Sequence, residues 1–192
     1  MKKLSTLFKK DINDLGRVID EVNPENEWVF EYGIPTQKYD GTSCAIINGE
    51  LYKRYDAKIN KKTGKYKPIP EGSISCQEPD PITGHHPHWV KCDRNNNADK
   101  YHFEGFDNLK VPYSMLNGTY ELCGPKIQGN PEKFVNHNLV PHGQNILCDV
   151  EAISYDNIKD YLTNNDIEGI VFHNIKDDKM CKIRKSDFGI KR

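Results

Sequence analysis

The apolar positions of this chain fall into short β-prone runs separated by turn residues, not into the long three-to-four-residue periodicity of an extended helix. Residues 28–30, Trp-Val-Phe, predict a strand. A second strand is expected from Cys44-Ala45-Ile46-Ile47 and a third over residues 51–55. Between the last two lies Asn48-Gly49-Glu50, a strong hairpin signal. Further strands are expected over 118–123, 146–153, 167–173 and 180–185. In the 146–153 run Asp149 and Glu151 alternate with Ile146, Cys148, Val150 and Ala152. A short helix is expected at 157–162, capped by Asp156 or Asn157. Residues 101–106 read equally as helix or strand, as do the weakly patterned first 27 residues before the Asn23-Pro24 turn. Residues 56–99 are polar, rich in Pro and Gly, and predict a long loop inserted in a single domain spanning 1–192. Strands joined mostly by hairpin-length links favour an α+β domain built on antiparallel sheet.

Composition narrows the function classes. With 29% charged and 36% hydrophobic residues the chain suits a soluble domain with a modest core. A net charge of −1 gives no global field for nucleic acid, so any such binding must use local patches. Two exist, Lys58, Lys61, Lys62, Lys65 and Lys67 in one run, and Lys182, Arg184, Lys185, Lys191 and Arg192 in another. Each lysine is also readable as solvated surface. The six cysteines form no Cys-x-x-Cys pair, and several sit in apolar runs as reduced core residues. With no signal peptide and no membrane-length apolar segment, an intracellular, cytoplasmic setting is expected (the host cytoplasm for a viral chain), without membrane contact and as a monomer. Gly-rich phosphate loops of the Walker or dinucleotide type are absent.

The candidate chemistry centres on Thr36-Gln37-Lys38-Tyr39-Asp40-Gly41-Thr42-Ser43, which sets a lysine between β-prone runs. Burying an ammonium is costly unless it is paired or deprotonated, and both conditions favour a nucleophilic amine. A solvated turn lysine beside Asp-Gly is the competing reading. Other charges interrupt later runs: Arg54 and Lys58 after the hairpin, Glu121 within 118–123, Glu168 before Gly169-Ile170-Val171, and Lys182 and Arg184 at the i, i+2 spacing that shares one strand face. Residues 76–92 raise two readings beside a plain packed loop. Cys76, His85, His86, His88 and Cys92 suggest zinc, although in no common module spacing. Trp89 and the histidines suggest contact with RNA bases and phosphates.

Together these motifs resemble the covalent nucleotidyltransferase superfamily, and most closely small ATP-dependent RNA ligases. Lys38-Tyr39-Asp40-Gly41 is similar to the superfamily's lysine motif. Arg54 stands where the family has an arginine after the lysine hairpin. Tyr120-Glu121-Leu122 with Gly124-Pro125 resembles the Glu-Leu-x-Gly segment, Ile167-Glu168-Gly169-Ile170-Val171 the Glu-Gly-hydrophobic motif, and Lys182-Ile183-Arg184 the closing Lys-x-Lys. The resemblance spans about residues 28–190 and departs at Arg184, where a planar guanidinium replaces an ammonium.

The resemblance implies an antiparallel-sheet nucleotidyltransferase domain. No C-terminal OB-fold is expected, because the chain ends seven residues after Lys185. It implies that Lys38 attacks ATP to give lysyl-AMP, that AMP passes to an RNA 5′-phosphate, and that an RNA 3′-hydroxyl then displaces it. Lys182 and Glu168 would assist Lys38. Gln37, Asp40, Gly41, Arg54, Lys58, Glu121, His142 and Arg184 would bind nucleotide. His142 would stack on adenine, or is simply a turn histidine. Mg²⁺, or Mn²⁺ in its place, would be held by Glu168 and by Glu121 or Glu151. Rival readings are another covalent nucleotidyltransferase (self-adenylylating, protein-modifying, or a GTP-using capping enzyme) and a noncatalytic RNA-binding module.

Overall fold

A computed structural model of the protein describes residues 2–60, 62–81, 83–110, 116–150 and 152–192. In chain order it contains β1 (Ser5–Thr6), β2 (Phe8–Lys10), β3 (Val18–Val22), α1 (Val29–Tyr32), β4 (Ile34–Lys38), β5 (Thr42–Ile47), β6 (Glu50–Lys58), β7 (Ile74–Ser75) and β8 (His85–Lys91). These are followed by α2 (Lys100–Asp107), β9 (Gly118–Cys123), β10 (Asn138–Pro141), α3 (Tyr155–Asn164), β11 (Gly169–Asn174) and β12 (Lys179–Arg184). This is an α+β chain of mostly antiparallel sheet with short helices. It divides into two compact units, one of residues 40–142 with the extreme N-terminus, the other Leu4–Tyr39 with Gly143–Arg192.

The 40–142 unit is built on a six-stranded antiparallel sheet of order β10-β9-β5-β6-β8-β7. Its β5–β6 hairpin turns at Asn48 and Gly49, both at positive φ (51° and 77°), which matches the twist of the flanking strands. Cys44, Ile46, Leu51, Leu116, Tyr120, Leu122 and Leu139 form the core, with Phe106 of α2 against them.

The expected 56–99 loop is corrected in part, because residues 85–91 form β8, paired with β6 from Tyr52↔Lys91 to Lys58↔His85. Pro87 within β8 has no N–H for a ladder, which is what makes the segment read as loop. Its carbonyl instead accepts from Cys76 N–H at 2.9 Å. Lys61 lies outside the described residues.

The second unit has a sheet of order β1-β12-β11-β4, with β1–β12 parallel and the other pairs antiparallel, and a separate β2–β3 hairpin. Leu7, Phe8, Val29, Ile158, Leu162, Ile170, Phe172, Cys181 and Ile183 form its core. In α3 the i, i+4 pair Ile158 and Leu162 faces that core, and Ser154, not Asp156 or Asn157, caps the helix by accepting from Asn157 N–H at 3.2 Å.

Two expected strands in this unit are also corrected. Residues 29–32 form a helical turn closed by Gly33 N–H on the Val29 carbonyl at 3.0 Å, burying Val29 while Phe30 stays exposed. Among the described residues of 146–153, only Ile146 makes a β-bridge, to Thr36. Leu147, Val150 and Ile153 pack on the core at three-residue intervals, a turning spacing and not a strand's two. Glu151 lies outside the described residues.

Candidate active site

In the second unit the register of the sheet sets out the charges. Lys38 pairs with Gly169, and Gly169 pairs with Arg184. One step along, Thr36 pairs with Val171, which pairs with Lys182. Opposed residues share a sheet face, as do i and i+2. Lys38, Lys182 and Arg184 therefore lie on the face opposite to the one that buries Ile170, Phe172, Cys181 and Ile183.

Glycine is required at the centre of this row, since a Cβ on Gly169 would stand 2.3 Å from the Ile183 carbonyl oxygen. Glu168, next to it, accepts a hydrogen bond and ion pair from Lys38 Nζ through Oε2. Both side chains are about one-fifth exposed, so the pair is neither fully solvated nor sealed.

Lys182 sits in a different electrostatic setting. Burial, followed by the like charges of Arg184 and Lys38, brings its ammonium down to about 8 against the attraction of Asp187 and Glu168. Arg184 is turned toward Asp187, donating from Nε at 3.2 Å and from Nη2 at 2.9 Å, with its backbone N–H on the same carboxylate at 2.9 Å. Burial pushes the Asp187 carboxyl up, but the hydrogen bonds from Arg184 and Lys10 outweigh it and hold it below the usual carboxylate value. The strand ends at Arg184, and Lys185 enters a short 3-10 turn where it is buried. Gln37 is fixed by Asn145, whose carbonyl accepts the Gln37 N–H at 2.9 Å and whose side-chain amide donates to Gln37 Oε1 at 2.7 Å and to the Tyr39 hydroxyl at 3.1 Å.

The remaining expected site residues belong to the 40–142 unit. Glu121 on β9 contacts His142 Nε2 at 3.0 Å, and His142 Nδ1 contacts Thr119 Oγ1 at 2.9 Å. In the neutral ring Nε2–H donates to the carboxylate and Nδ1 accepts from the Thr119 hydroxyl. Gly41 abuts β9, where a Cβ would stand 2.3 Å from the Leu122 carbonyl oxygen. Asp40 donates its N–H to Glu132 at 2.9 Å. Arg54 pairs across the strands with Trp89 and lays its guanidinium over the indole at 5.3 Å. Burial lowers the Arg54 pKa. Lys58 is exposed, 3.9 Å from Asp56.

The 76–92 readings resolve unevenly. Trp89 is 4% exposed and packed beneath Arg54, which removes it as a stacking platform for an RNA base. No three of the five residues considered for zinc bring ligand atoms together, and His85 is on Asp56 and His86 on Ser75.

No family model matches the chain. It is 28% identical to RNA ligase 1 of Pongo abelii over 82% of its own length and 67% of the relative's. RNA ligase 1 of Rattus norvegicus and of Mus musculus are each 25% identical over the same shares. The chain is thus similar to proteins named RNA ligase 1.

The sequence points to Lys38, Glu168, Lys182 and Arg184, which the structure groups around Gly169. Asp187 and Asn145, which hold Arg184 and Gln37, and Glu132 and Thr119, which hold Asp40 and His142, do not stand out in it. Asp187 carried a faint signal as the one acid among the basic residues that follow β12. Asn145 carried none, because it acts from a turn far along the chain.

Proposed function

We propose that the chain is an ATP-dependent RNA ligase that joins 5′-phosphate and 3′-hydroxyl RNA ends through lysyl-AMP on Lys38 and an RNA-adenylate. The observation that carries this reading is the Lys38–Glu168 contact on a sheet face that also bears Lys182 and Arg184.

A protonated amine has no lone pair for attack. Glu168 accepts the hydrogen bond from Lys38 Nζ and takes its proton as the nitrogen bonds to the α-phosphorus and the bond to pyrophosphate breaks. Lys182 offsets the negative charge that gathers on the α-phosphoryl oxygens. Arg184 contributes less, since Asp187 already neutralises it. An RNA 5′-phosphate oxygen then takes the AMP, breaking the phosphorus–nitrogen bond and freeing Lys38. In the last step the 3′-hydroxyl bonds to the RNA phosphorus and AMP leaves.

For the nucleotide we carry over roles to Glu121 at the ribose, His142 at the adenine, and Gln37, Asp40, Gly41, Arg54 and Lys58 along the remainder. A single carboxylate such as Glu168 suits Mg²⁺ or Mn²⁺, ions that retain waters and draw their other ligands from substrate phosphates. Such an ion would be held by Glu168 with those phosphates and would supply positive charge there.

The test is incubation with nicked or single-stranded RNA bearing a labelled 5′-phosphate, ATP and Mg²⁺. A joined product whose label has become phosphatase-resistant supports the reading. Lysyl-AMP without any joined RNA points to a nucleotidyltransferase with another acceptor, and GTP in place of ATP to a capping-type enzyme. RNA binding with no covalent adduct points to a noncatalytic module.

A further inference from the structure

Beneath α2, away from the residues assigned to ligation, three metal-ligating side chains converge. Cys92 follows β8 directly and is anchored by its N–H on the Leu51 carbonyl at 2.9 Å. Asp99 closes a 3-10 turn and is 1% exposed. His102 lies in the first turn of α2. One ligand atom from each falls within 4.8 Å of the others, and among the described residues no other three such side chains do so.

His102 is the unusual member. Both of its ring nitrogens are buried and neither has a hydrogen-bond partner. Ring nitrogens buried without partners lose their contacts with water and gain nothing in return, a penalty that a bound metal ion would offset at one of them. An open groove of about 470 Å³, lined by Glu50, Lys91, Cys92, Asp93, Arg94 and Phe103, reaches Cys92 from the surface. Lys53 now satisfies Asp99 Oδ1, while Oδ2 accepts the Asp93 N–H at 3.0 Å. The Lys53 side chain is about one-quarter exposed, so it has solvent to turn into.

We propose that Cys92 Sγ, an Asp99 carboxylate oxygen and a His102 ring nitrogen form a site for one Zn²⁺ ion. Sulfur, nitrogen and oxygen ligands together suit zinc, whereas Mg²⁺ and Ca²⁺ take oxygen. A thiolate, a carboxylate and a neutral imidazole balance the charge of a divalent cation, and Lys53 leaves Asp99 as it enters. Ligand atoms in a tetrahedral zinc site stand about 3–4 Å apart, so a small contraction of the present spacing completes three corners. Water takes the fourth. The ion would staple the start of α2 to the end of β8. Of the three, Cys92 belongs to the set that the sequence suggests for zinc, while Asp99 and His102 do not.

The experiment uses the metal-free full-length protein titrated with Co²⁺ and then with Zn²⁺ as competitor. The expected result is one Co²⁺ per chain with a thiolate-to-cobalt absorption that Zn²⁺ abolishes. Cys92→Ser and His102→Gln should each lose that absorption, while Cys76→Ala and Cys148→Ala, at the more accessible cysteines, should retain it. Zn²⁺ should also raise the unfolding temperature of the wild type and leave that of His102→Gln unchanged, a readout that survives if Cys92→Ser folds poorly. A wild type that shows no thiolate band at saturating Co²⁺ overturns the proposal. So does a band that persists in Cys92→Ser or disappears with Cys148→Ala.

Discussion

Lys38 on β4 and Arg184 on β12 both pair with Gly169 of β11, so the two basic residues stand in one row across the sheet with only a glycine between them. The Glu-Gly sequence at the start of β11 is thus a geometric requirement as well as a source of a carboxylate. Gly169→Ala would force a methyl to 2.3 Å from the Ile183 carbonyl oxygen, a backbone atom that cannot swing aside. The expected cost is about 1–3 kcal/mol, seen as a lower urea midpoint with an unchanged slope. Wild-type stability in this variant would show that β11 and β12 are not paired in this register.

Lys182 gives a pH-dependent prediction. Its ammonium is brought down from 10.5 to about 8 in the folded chain. Between those two values the unfolded chain binds a proton that the folded chain does not. Wild-type stability from this group therefore rises with pH through that window, and its cost is present in full below it. Lys182→Met should be more stable than the wild type at pH 7, by on the order of 1–3 kcal/mol. The advantage should shrink as pH climbs from about 8 toward 10.5, while AMP transfer falls about 100-fold. Thermal melts of both proteins across that range check the sign, and a gap that widens with pH would be the wrong one.

The pair Glu121 and His142 yields a third expectation. His142 holds the carboxylate from one side and leans on Thr119 from the other. Removing it in His142→Ala leaves Glu121 without that partner and should lower kcat/KM for lysyl-AMP formation about tenfold, the usual scale of a hydrogen bond to a charged group. Thr119→Val should have a smaller effect in the same direction. If Thr119→Val is the more damaging, the chain of contacts does not run through His142.

Much of the fold was legible where local chemistry decides structure. Asn48-Gly49 specified its hairpin because both residues tolerate the positive φ of a turn that suits the strand twist. Alternation in Met180-Cys181-Lys182-Ile183-Arg184 separated a core face from a charged one, as β12 does. The reading failed where distant packing decides. Val29 is drawn into a helical turn by the core it fills, Leu147 and Val150 turn onto that same core, and Pro87 disguises a strand whose pairing partner lies some thirty residues earlier. The division into two units was invisible because each is assembled from segments far apart in sequence, with the boundary inside the lysine motif between Tyr39 and Asp40. For the site, charged residues inside β-prone runs were conspicuous. Their supporting partners, Asn145 and Asp187, sit in turns where polar residues are ordinary.

The claim on which the rest depends is that Lys38 carries AMP. Intact-protein mass spectrometry after incubation with ATP and Mg²⁺, with Mn²⁺ in parallel, reads this without any RNA. One added AMP is predicted on the wild type and none on Lys38→Ala. The account is contradicted by a wild type that gains no mass with either metal, or by a Lys38→Ala protein that still gains one AMP.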